Sequence, residues 1–500
     1  MKLKKNITSL FNNFALISVF LMLLNLLVKG LFLDHNSLGG DEPFTVYHAQ
    51  MDIFSIIRLL SDGNNPPLFE LILHYWIKVF GISELSVRLP SLFFSSFTVF
   101  FIYKLAHKHL NSKVALYASI IFIFSNYFTL YAQEARVYSL LGLLSIMSMN
   151  YFLDIINECK TYFEAEQLVN SIKLKIFALI LINSLIIYAH YFGFFILLTQ
   201  FIFIIYKRSI FIQYWKQILL IISTIGILYL PNVIVFYTRL IESSTKGTWV
   251  KAPKSIDSIY NMIRKFANEP LVATLVIAVF LASIVKYFIK RKVDSTNWNS
   301  SFIVFWFVFI FFFMFGISYL IPMFLDRYLI PSAIAFSILV AISIDYIVKK
   351  PRYSYITPIV ICALFIATVK PSISNKRNVR ETINKLIELK TANTLVLVCP
   401  QHFVLNFAYY YDSKIFKNIN VKNPYFNIEN DLKIQNIFSI KNISEVNFKE
   451  WDDIIYLDAG ANFSFPNNNI IKKLNKSYIL NGKHEFYQIF KIFDYKLKQP

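Results

Sequence analysis

The chain has 500 residues, 56% of them hydrophobic, 17% aromatic and only 16% charged, with a mean hydropathy of +0.51 and a formal charge of +20. A soluble domain of ordinary composition carries roughly 25% charged residues, so this balance argues against one; repeated apolar runs of about 20 residues point instead to a polytopic α-helical membrane protein. The positive charge lies between the apolar runs, as anchors and topology signals, and calls for no nucleic-acid partner. Cys159, Cys362 and Cys399 are far apart in sequence, so neither a disulfide framework nor a zinc site is expected.

Taken in chain order, the apolar runs predict membrane helices at about 10–33, 87–105, 113–132, 136–156, 174–189, 191–206, 214–236, 270–289, 300–323, 328–348 and 355–370, eleven in all. The first run lacks a small-residue cleavage site and is too long for a signal-peptide core, so it is expected to stay as a span. One set of alternate connections holds nineteen Lys/Arg in about 70 residues, and the other holds eleven in about 100. The richer set is predicted to be cytoplasmic, which puts the amino terminus inside and the carboxyl terminus outside.

The first outer connection, 34–88, carries seven acidic residues. It contains "LGGDEPFTVYH", where Asp41 and Glu42 stand side by side before Pro43, a residue suited to the first turn of a following helix. It also contains "PPLFELILHYWIKVFG", an apolar run too short for a span and bounded by Pro66 and Gly81, which predicts an interfacial or re-entrant helix. A second long outer loop, 237–269, is mildly basic. From about 371 the composition turns polar: "VRETINKLIELK" reads as an amphipathic helix, "TLVLVCP" and "DDIIYLDAG" as buried strands, and "KHEFYQIFKIFDYKL" as strand material. The expected organisation is a membrane domain over 1–370 and a small extracytoplasmic α/β domain over 371–500.

Ionisable groups gather where the helices reach the outer face. Asp41 and Glu42 follow the first span. Glu134 and Arg136 lie in "YAQEARVY", His190 in "YAHYFGF", and Asp326 and Arg327 in "LDRYLIP". Each turn taken alone is explained by solvation, by a Glu134–Arg136 or Asp326–Arg327 pair, or by an aromatic belt around His190. Four such clusters on one face, under two long loops, point to a joint site, because charge at membrane depth is costly and is kept for a purpose. The carboxylates suit base or metal work; Arg, His and the loop lysines Lys246 and Lys251 suit an anion. No Walker or Gly-rich nucleotide motif is present, and an outer-face site has no nucleotide supply. A membrane-borne lipid phosphate is then the activated substrate the site can reach. Arg binds phosphate in bidentate fashion and neutralises a leaving group, while a carboxylate deprotonates a hydroxyl.

These motifs, "GDEPFTVYHA", "DGNNPPLFELILHYWIKVFGISELSVRLPSLFFSSFTVFFIYKLA", "LYAQEARVYSLLGLLSI", "YAHYFGFFILLTQ" and "DRYLIPS", resemble, in order and over about residues 1–340, the bacterial glycosyltransferase family 39 proteins. Those proteins are relatives of the protein O-mannosyltransferases and the lipid A aminoarabinose transferases, within the GT-C fold superfamily. The core motifs fall within 34–200 and 324–331. The resemblance implies an inverting hexosyl- or pentosyltransferase that moves a sugar from a polyprenyl-phosphate donor to a hydroxyl of a glycan, lipid or protein. It implies that Asp41 is the catalytic carboxylate, that Glu42 supports it or helps to bind a divalent cation, and that Arg327 with Tyr328 contacts the lipid phosphate. Glu134, Arg136 and Tyr138 would line the sugar pocket, and His190 would be a metal ligand, as a polar residue there is in some relatives. Relatives often carry His or Lys before the Pro pair, where this chain has Asn65; the departure weakens the case for tight metal binding, and Asn65 is expected in the donor site, where Asn can coordinate a hard cation or hydrogen-bond a sugar. A lipid-linked sugar flippase, and an oligosaccharide ligase or polymerase using a diphosphate donor, are the competing readings. The Lys/Asn/Ile/Phe-rich usage fits an AT-rich genome and a bacterial plasma membrane.

Overall fold

The computed structural model describes residues 13–61, 65–162, 170–245, 247, 250–290, 298–347, 356–372, 378–419, 423, 425–486 and 490–498. The chain divides into two compact units. One comprises Met1–Leu31, Arg58–Phe69 and Arg88–Ile373, and the other Phe32–Ile57, Glu70–Val87 and Ser374–Pro500. Two stretches of the first outer connection therefore group with the carboxyl-terminal residues.

Among the described residues, seven helices are long and apolar enough to cross a membrane: Glu84–His109, Tyr138–Cys159, Ile172–Ala189, Arg208–Thr245, Pro270–Ile289, Trp298–Ile317 and Asp326–Ile347. The bent pair Ser112–Ile123 and Asn126–Ala132 makes an eighth if it is one span, and Phe14–Gly30, Tyr191–Tyr206 and Thr357–Thr368 are shorter apolar helices. Together they occupy the eleven predicted runs. The protein is a multi-pass membrane protein. Helix Trp298–Ile317 shows how these helices pack: Phe302, Ile303, Trp306, Phe307, Ile310, Phe311 and Met314 form one buried stripe at helical spacing. Val304, Val308 and Phe312 on other faces are exposed, as lipid contact permits.

The run predicted as one helix over 113–132 is two, bent by 62° at Phe124–Ser125. Ser125 is extended there (φ −84°, ψ 123°). A break inside an apolar medium frees backbone groups that cost several kcal/mol each if unmet, and side chains from elsewhere meet them. Lys29 donates to the Phe122 carbonyl (3.2 Å) with its ammonium 4.1 Å from the centre of the Phe122 ring. Asn268 donates to the Phe124 carbonyl (2.8 Å) and accepts from Asn126 N (2.7 Å). Helix Arg208–Thr245 runs beyond the predicted 214–236, with a non-helical residue at Tyr214 (φ −113°, ψ 20°). The run predicted over 300–323 stops at Ile317. Beyond it, the Ser318 hydroxyl donates to Met314 O (2.7 Å) and accepts from Met323 N (3.1 Å), ahead of Pro322 in the turned chain.

The second unit contains a five-stranded mixed sheet in the order β2-β1-β3-β5-β4. Its strands are β1 Thr394–Cys399, β2 Ile437–Ser439, β3 Asp453–Ala459, β4 Tyr478–Phe486 and β5 Phe490–Leu497. β1 runs parallel to β2 and β3, and β5 is antiparallel to β3 and β4. Leu395, Leu397, Ile454, Tyr456, Tyr495, Ile470 and Leu474 form its core. The amphipathic helix predicted from "VRETINKLIELK" spans Val379–Leu389 and buries Val379, Thr382, Ile383 and Leu386, at spacings of three, one and three residues. Helix Glu42–Ala49 begins with Pro43 in its first turn, and belongs to this unit with residues 70–80 of helix Leu68–Phe80.

Candidate active site

In the first unit, three of the predicted turns come together around the ring of Tyr138. Tyr138 opens helix Tyr138–Tyr162 and is buried. Arg327 Nη1 donates to its hydroxyl (3.2 Å), and the Arg327 guanidinium carbon lies 5.7 Å from its ring centre. The Arg136 guanidinium is 5.9 Å from the same centre. Two cations on one aromatic ring repel each other, and the ring quadrupole attracts each by about 1–2 kcal/mol when partly desolvated. A shared anion would relieve the repulsion. The Arg327 backbone N–H donates to Asp326 Oδ1 (2.9 Å). Asp326 pairs with Lys265 from helix Asp257–Phe266 (2.6 Å), and its carbonyl accepts from Tyr127 (2.5 Å). The loop lysine that reaches this turn is thus Lys265, which composition alone did not distinguish; Lys251 is exposed, and Lys246 lies outside the described residues.

His190 enters the same cluster. Its ring is 5.5 Å from Tyr328 and 6.3 Å from Tyr138, and Phe192 packs on Tyr328 at 4.3 Å. The turn that delivers it depends on Gly193: a Cβ there would lie 2.7 Å from the carbonyl oxygen of Ile186. His190 Nδ1 accepts from Phe192 N (3.2 Å), which assigns the ring proton to Nε2. Nε2 is buried and has no hydrogen-bond partner among the described residues. Burial, and then the charges of Arg136 and Arg327, hold the imidazole pKa down to about 3, so the ring is neutral at physiological pH.

A metal ligand must offer a nitrogen lone pair, and cations nearby oppose a bound cation. His190 presents N–H at Nε2 with two guanidiniums beside the ring. Among the described residues no group of three His, Cys, Asp or Glu stands close enough to hold an ion. The expected metal role of His190 does not fit this donor set; an anion does. Glu134 is half-buried in the turn that carries Arg136, its carbonyl accepting from Arg136 N (2.8 Å). Asn65, half-buried just before Pro66, belongs to the first unit as well.

A cavity of about 770 Å³ lies among helices Tyr138–Tyr162, Asn170–Ala189, Phe194–Tyr206 and Arg208–Thr245. Its lining is apolar apart from Lys173, Asn183, Gln200, Tyr214, Gln217 and Cys159. Phe194 and Phe195, two and three residues after Phe192, are part of that lining. The cluster around Tyr138 and a large, mostly apolar cavity thus adjoin one helix start.

Asp41 and Glu42 stand in the second unit and differ sharply. Gly40 takes a left-handed conformation (φ 57°), which only glycine adopts without strain. The chain then turns into Asp41, whose carbonyl accepts from Thr45 N (3.1 Å) as the first helical bond while the residue itself is exposed. Glu42 is 2% exposed, and its Oε2 accepts from Gly39 N (3.2 Å). Glu42 closes the turn, and Asp41 stands at its exposed edge.

The fold is shared with solved membrane-protein structures at low sequence identity. Over 95% of this chain and 97% of the other, it is similar to ArnT from Cupriavidus metallidurans, with a TM-score of 0.61 in the apo state and 0.57 bound to undecaprenyl phosphate, at 10% identity in each case. It is also similar to the archaeal oligosaccharyltransferase AglB from Archaeoglobus fulgidus in complex with an inhibitory peptide and a dolichol-phosphate (TM-score 0.51, 10% identity, 97% of this chain and 74% of that one). No protein-family model and no curated protein sequence matches the chain.

Proposed function

We propose that the protein is an integral-membrane glycosyltransferase that moves a sugar from a polyprenyl-phosphate donor to a hydroxyl acceptor on the outer face of a bacterial plasma membrane. The observation that carries this reading is the pairing of an anion pocket (Arg136, Arg327 and the His190 N–H around Tyr138) with a large apolar cavity lined from the same helix start. Such a pairing suits an anionic head on a long hydrocarbon. Folds like this one occur with undecaprenyl phosphate and with a dolichol-phosphate, in ArnT and AglB respectively.

In this reading Asp41 takes the proton of the acceptor hydroxyl. The oxygen attacks the anomeric carbon, the bond from that carbon to the phosphate oxygen breaks, and the configuration inverts. Arg136 and Arg327 neutralise the charge that develops on the departing lipid phosphate, and the His190 N–H donates to one of its oxygens. Tyr328 and Glu134 line the head-group pocket, Asn65 hydrogen-bonds the sugar, and Glu42 holds the turn that presents Asp41. The buried polar groups deeper in the helices favour an enzyme over a transporter. Ser148, Asn183 and Gln200 close a ring of mutual hydrogen bonds (2.5, 2.9 and 2.6 Å), so these polar groups are spent on one another and tie three helices together.

The test uses membranes carrying the full chain, given polyprenyl-monophosphate or polyprenyl-diphosphate sugars, with transferred sugar read by mass spectrometry of surface glycans. Asp41→Asn should insert normally and lose transfer by more than about 1000-fold, the scale of a lost general base combined with lost charge. Transfer by Asp41→Asn at the wild-type rate would sink the assignment of the base, and transfer from the diphosphate donor alone would move the protein to the ligase class.

A further inference from the structure

The second unit joins two stretches of sequence that lie more than 300 residues apart, and the joint is made at the turn that carries Asp41. Glu84 is its hub. One oxygen of its carboxylate accepts from the Tyr410 hydroxyl and the other from Arg380. The Tyr410 hydroxyl in turn accepts from the backbone N–H of Leu38, which is fully buried. Arg380 reaches further along the same segment, its guanidinium donating to Asp34 O (2.9 Å) and its backbone N–H to Ser37 Oγ (3.1 Å). Asn406 Nδ2 donates to Gly40 O (3.4 Å), and Tyr409 donates to Ile82 O (2.7 Å). Two helices of the carboxyl-terminal part, Val379–Leu389 and Val404–Tyr411, thus grip the chain at 34, 37, 38 and 40, just ahead of Asp41.

The direction of each bond is set by chemistry. Leu38 N–H can only donate, and the carboxylate of Glu84 can only accept, so the Tyr410 hydroxyl must carry both roles at once. Charge at Glu84, balanced by Arg380, strengthens the chain of bonds that ends on the Leu38 amide. Gly40 turns the chain in a left-handed conformation just before Asp41, and the turn is anchored on both flanks. On the far side, helix Glu42–Ala49 and the Glu42 bond to Gly39 N supply one anchor. Tyr410 and Asn406 supply the other.

We propose that Tyr410, held by Glu84, is a positioning residue for Asp41, and that the carboxyl-terminal domain acts in the reaction by fixing the turn that presents the base. This rests on the role proposed for Asp41. A base displaced by about 1 Å costs on the order of 100-fold in rate while ground-state binding of the donor is untouched.

The experiment compares Tyr410→Phe, Asn406→Ala and Tyr411→Phe in the full-length protein in nanodiscs. Tyr411→Phe removes a hydroxyl from the same helix, one that bonds Gln435 inside the domain and does not touch the turn. Turnover, donor KM and hydrogen–deuterium exchange of residues 34–41 are measured for each. Tyr410→Phe is expected to lower kcat about 10- to 100-fold with donor KM within twofold of wild type, and to speed exchange at Leu38 about tenfold. Asn406→Ala should shift both quantities in the same direction by less, and Tyr411→Phe should shift neither. The proposal is overturned if Tyr410→Phe keeps the wild-type kcat, if the loss appears in KM, or if Tyr411→Phe loses as much. Failure of the glycosyltransfer reading shows separately: Asp41→Asn would then turn over like wild type, whatever the exchange data report.

Discussion

Arg327→Lys keeps a positive charge in the anion pocket and removes the planar fork. The guanidinium is half-buried, donates to the Tyr138 hydroxyl at 3.2 Å and lies over that ring at 5.7 Å. Lysine forfeits the ring stacking and the second prong on a phosphate. The cation–π contact is worth about 1–2 kcal/mol, and a hydrogen bond to a charged group about 1.5–3 kcal/mol. A lysine ammonium regains part of both, so the net loss should be about 2 kcal/mol, or roughly 30-fold in affinity. The assay is binding of undecaprenyl phosphate to the full-length protein in nanodiscs, by native mass spectrometry at fixed ionic strength. Arg327→Met should lose more than Arg327→Lys. Lys370→Gln, which removes a solvent-facing charge paired with Glu269 at 2.7 Å, should change affinity by less than twofold. Arg327→Lys binding like wild type, or Lys370→Gln losing as much, would refute the reasoning, because the pocket would then be only a diffuse positive field.

Three further outcomes follow from the same geometry. Gly193→Ala places a methyl 2.7 Å from the Ile186 carbonyl oxygen and should destabilise the protein by about 1–3 kcal/mol, read by thermal unfolding in detergent, while weakening lipid-phosphate binding through the displaced His190 turn; unchanged unfolding would mean that the turn accommodates a side chain. Lys29→Met removes the ammonium that meets the Phe122 carbonyl beside the broken helix, and should cost about 1–3 kcal/mol in the same assay. His190, with its pKa at about 3 in the fold against an ordinary 6.5 when unfolded, favours the unfolded state as pH falls from 6.5 toward 3. At pH 5 that loss is about 2 kcal/mol, so His190→Gln should lose less stability than wild type between pH 8 and pH 5, and equal losses would contradict it.

Much of the fold was legible because the membrane makes helices declare themselves. Ten of the eleven apolar runs fall on one apolar helix each and the eleventh on a bent pair, and the described strands all lie at or beyond Thr394. What the runs could not show was the bend at Phe124–Ser125. The segment "IFIFSNYF" is apolar enough to read straight through, and the break exists only because Lys29 and Asn268, 95 and 144 residues away from Phe124, meet the freed carbonyls. Compensation of that kind is tertiary, and periodicity does not register it. The early end of the helix at Ile317 had a local signal in Ser318 and Pro322, which the strong run of Phe residues outweighed.

The site was legible as residue types and much less as roles. "QEAR", "HYF" and "DRY" do meet, and the aromatic residues beside them turn out to be the scaffold: Tyr138 is the plate on which both arginines rest. Asp326 pairs with Lys265 and also accepts from the Arg327 backbone N–H, while the Arg327 guanidinium reaches Tyr138. Asp41 and Glu42, alike on paper, separate by burial: Asp41 is exposed, whereas Glu42 is buried with its carboxylate on Gly39 N. Glu84 shows where such reading ends. It lies in the block "SELSVRLPS", within a charged and apolar mix that suits a helix start, and its importance comes from Arg380 and Tyr410, 296 and 326 residues further on. Nothing local distinguishes a glutamate that merely begins a helix from one that holds a distant tyrosine against the turn carrying Asp41. The difference is a contact order of several hundred residues, and only the folded chain contains it.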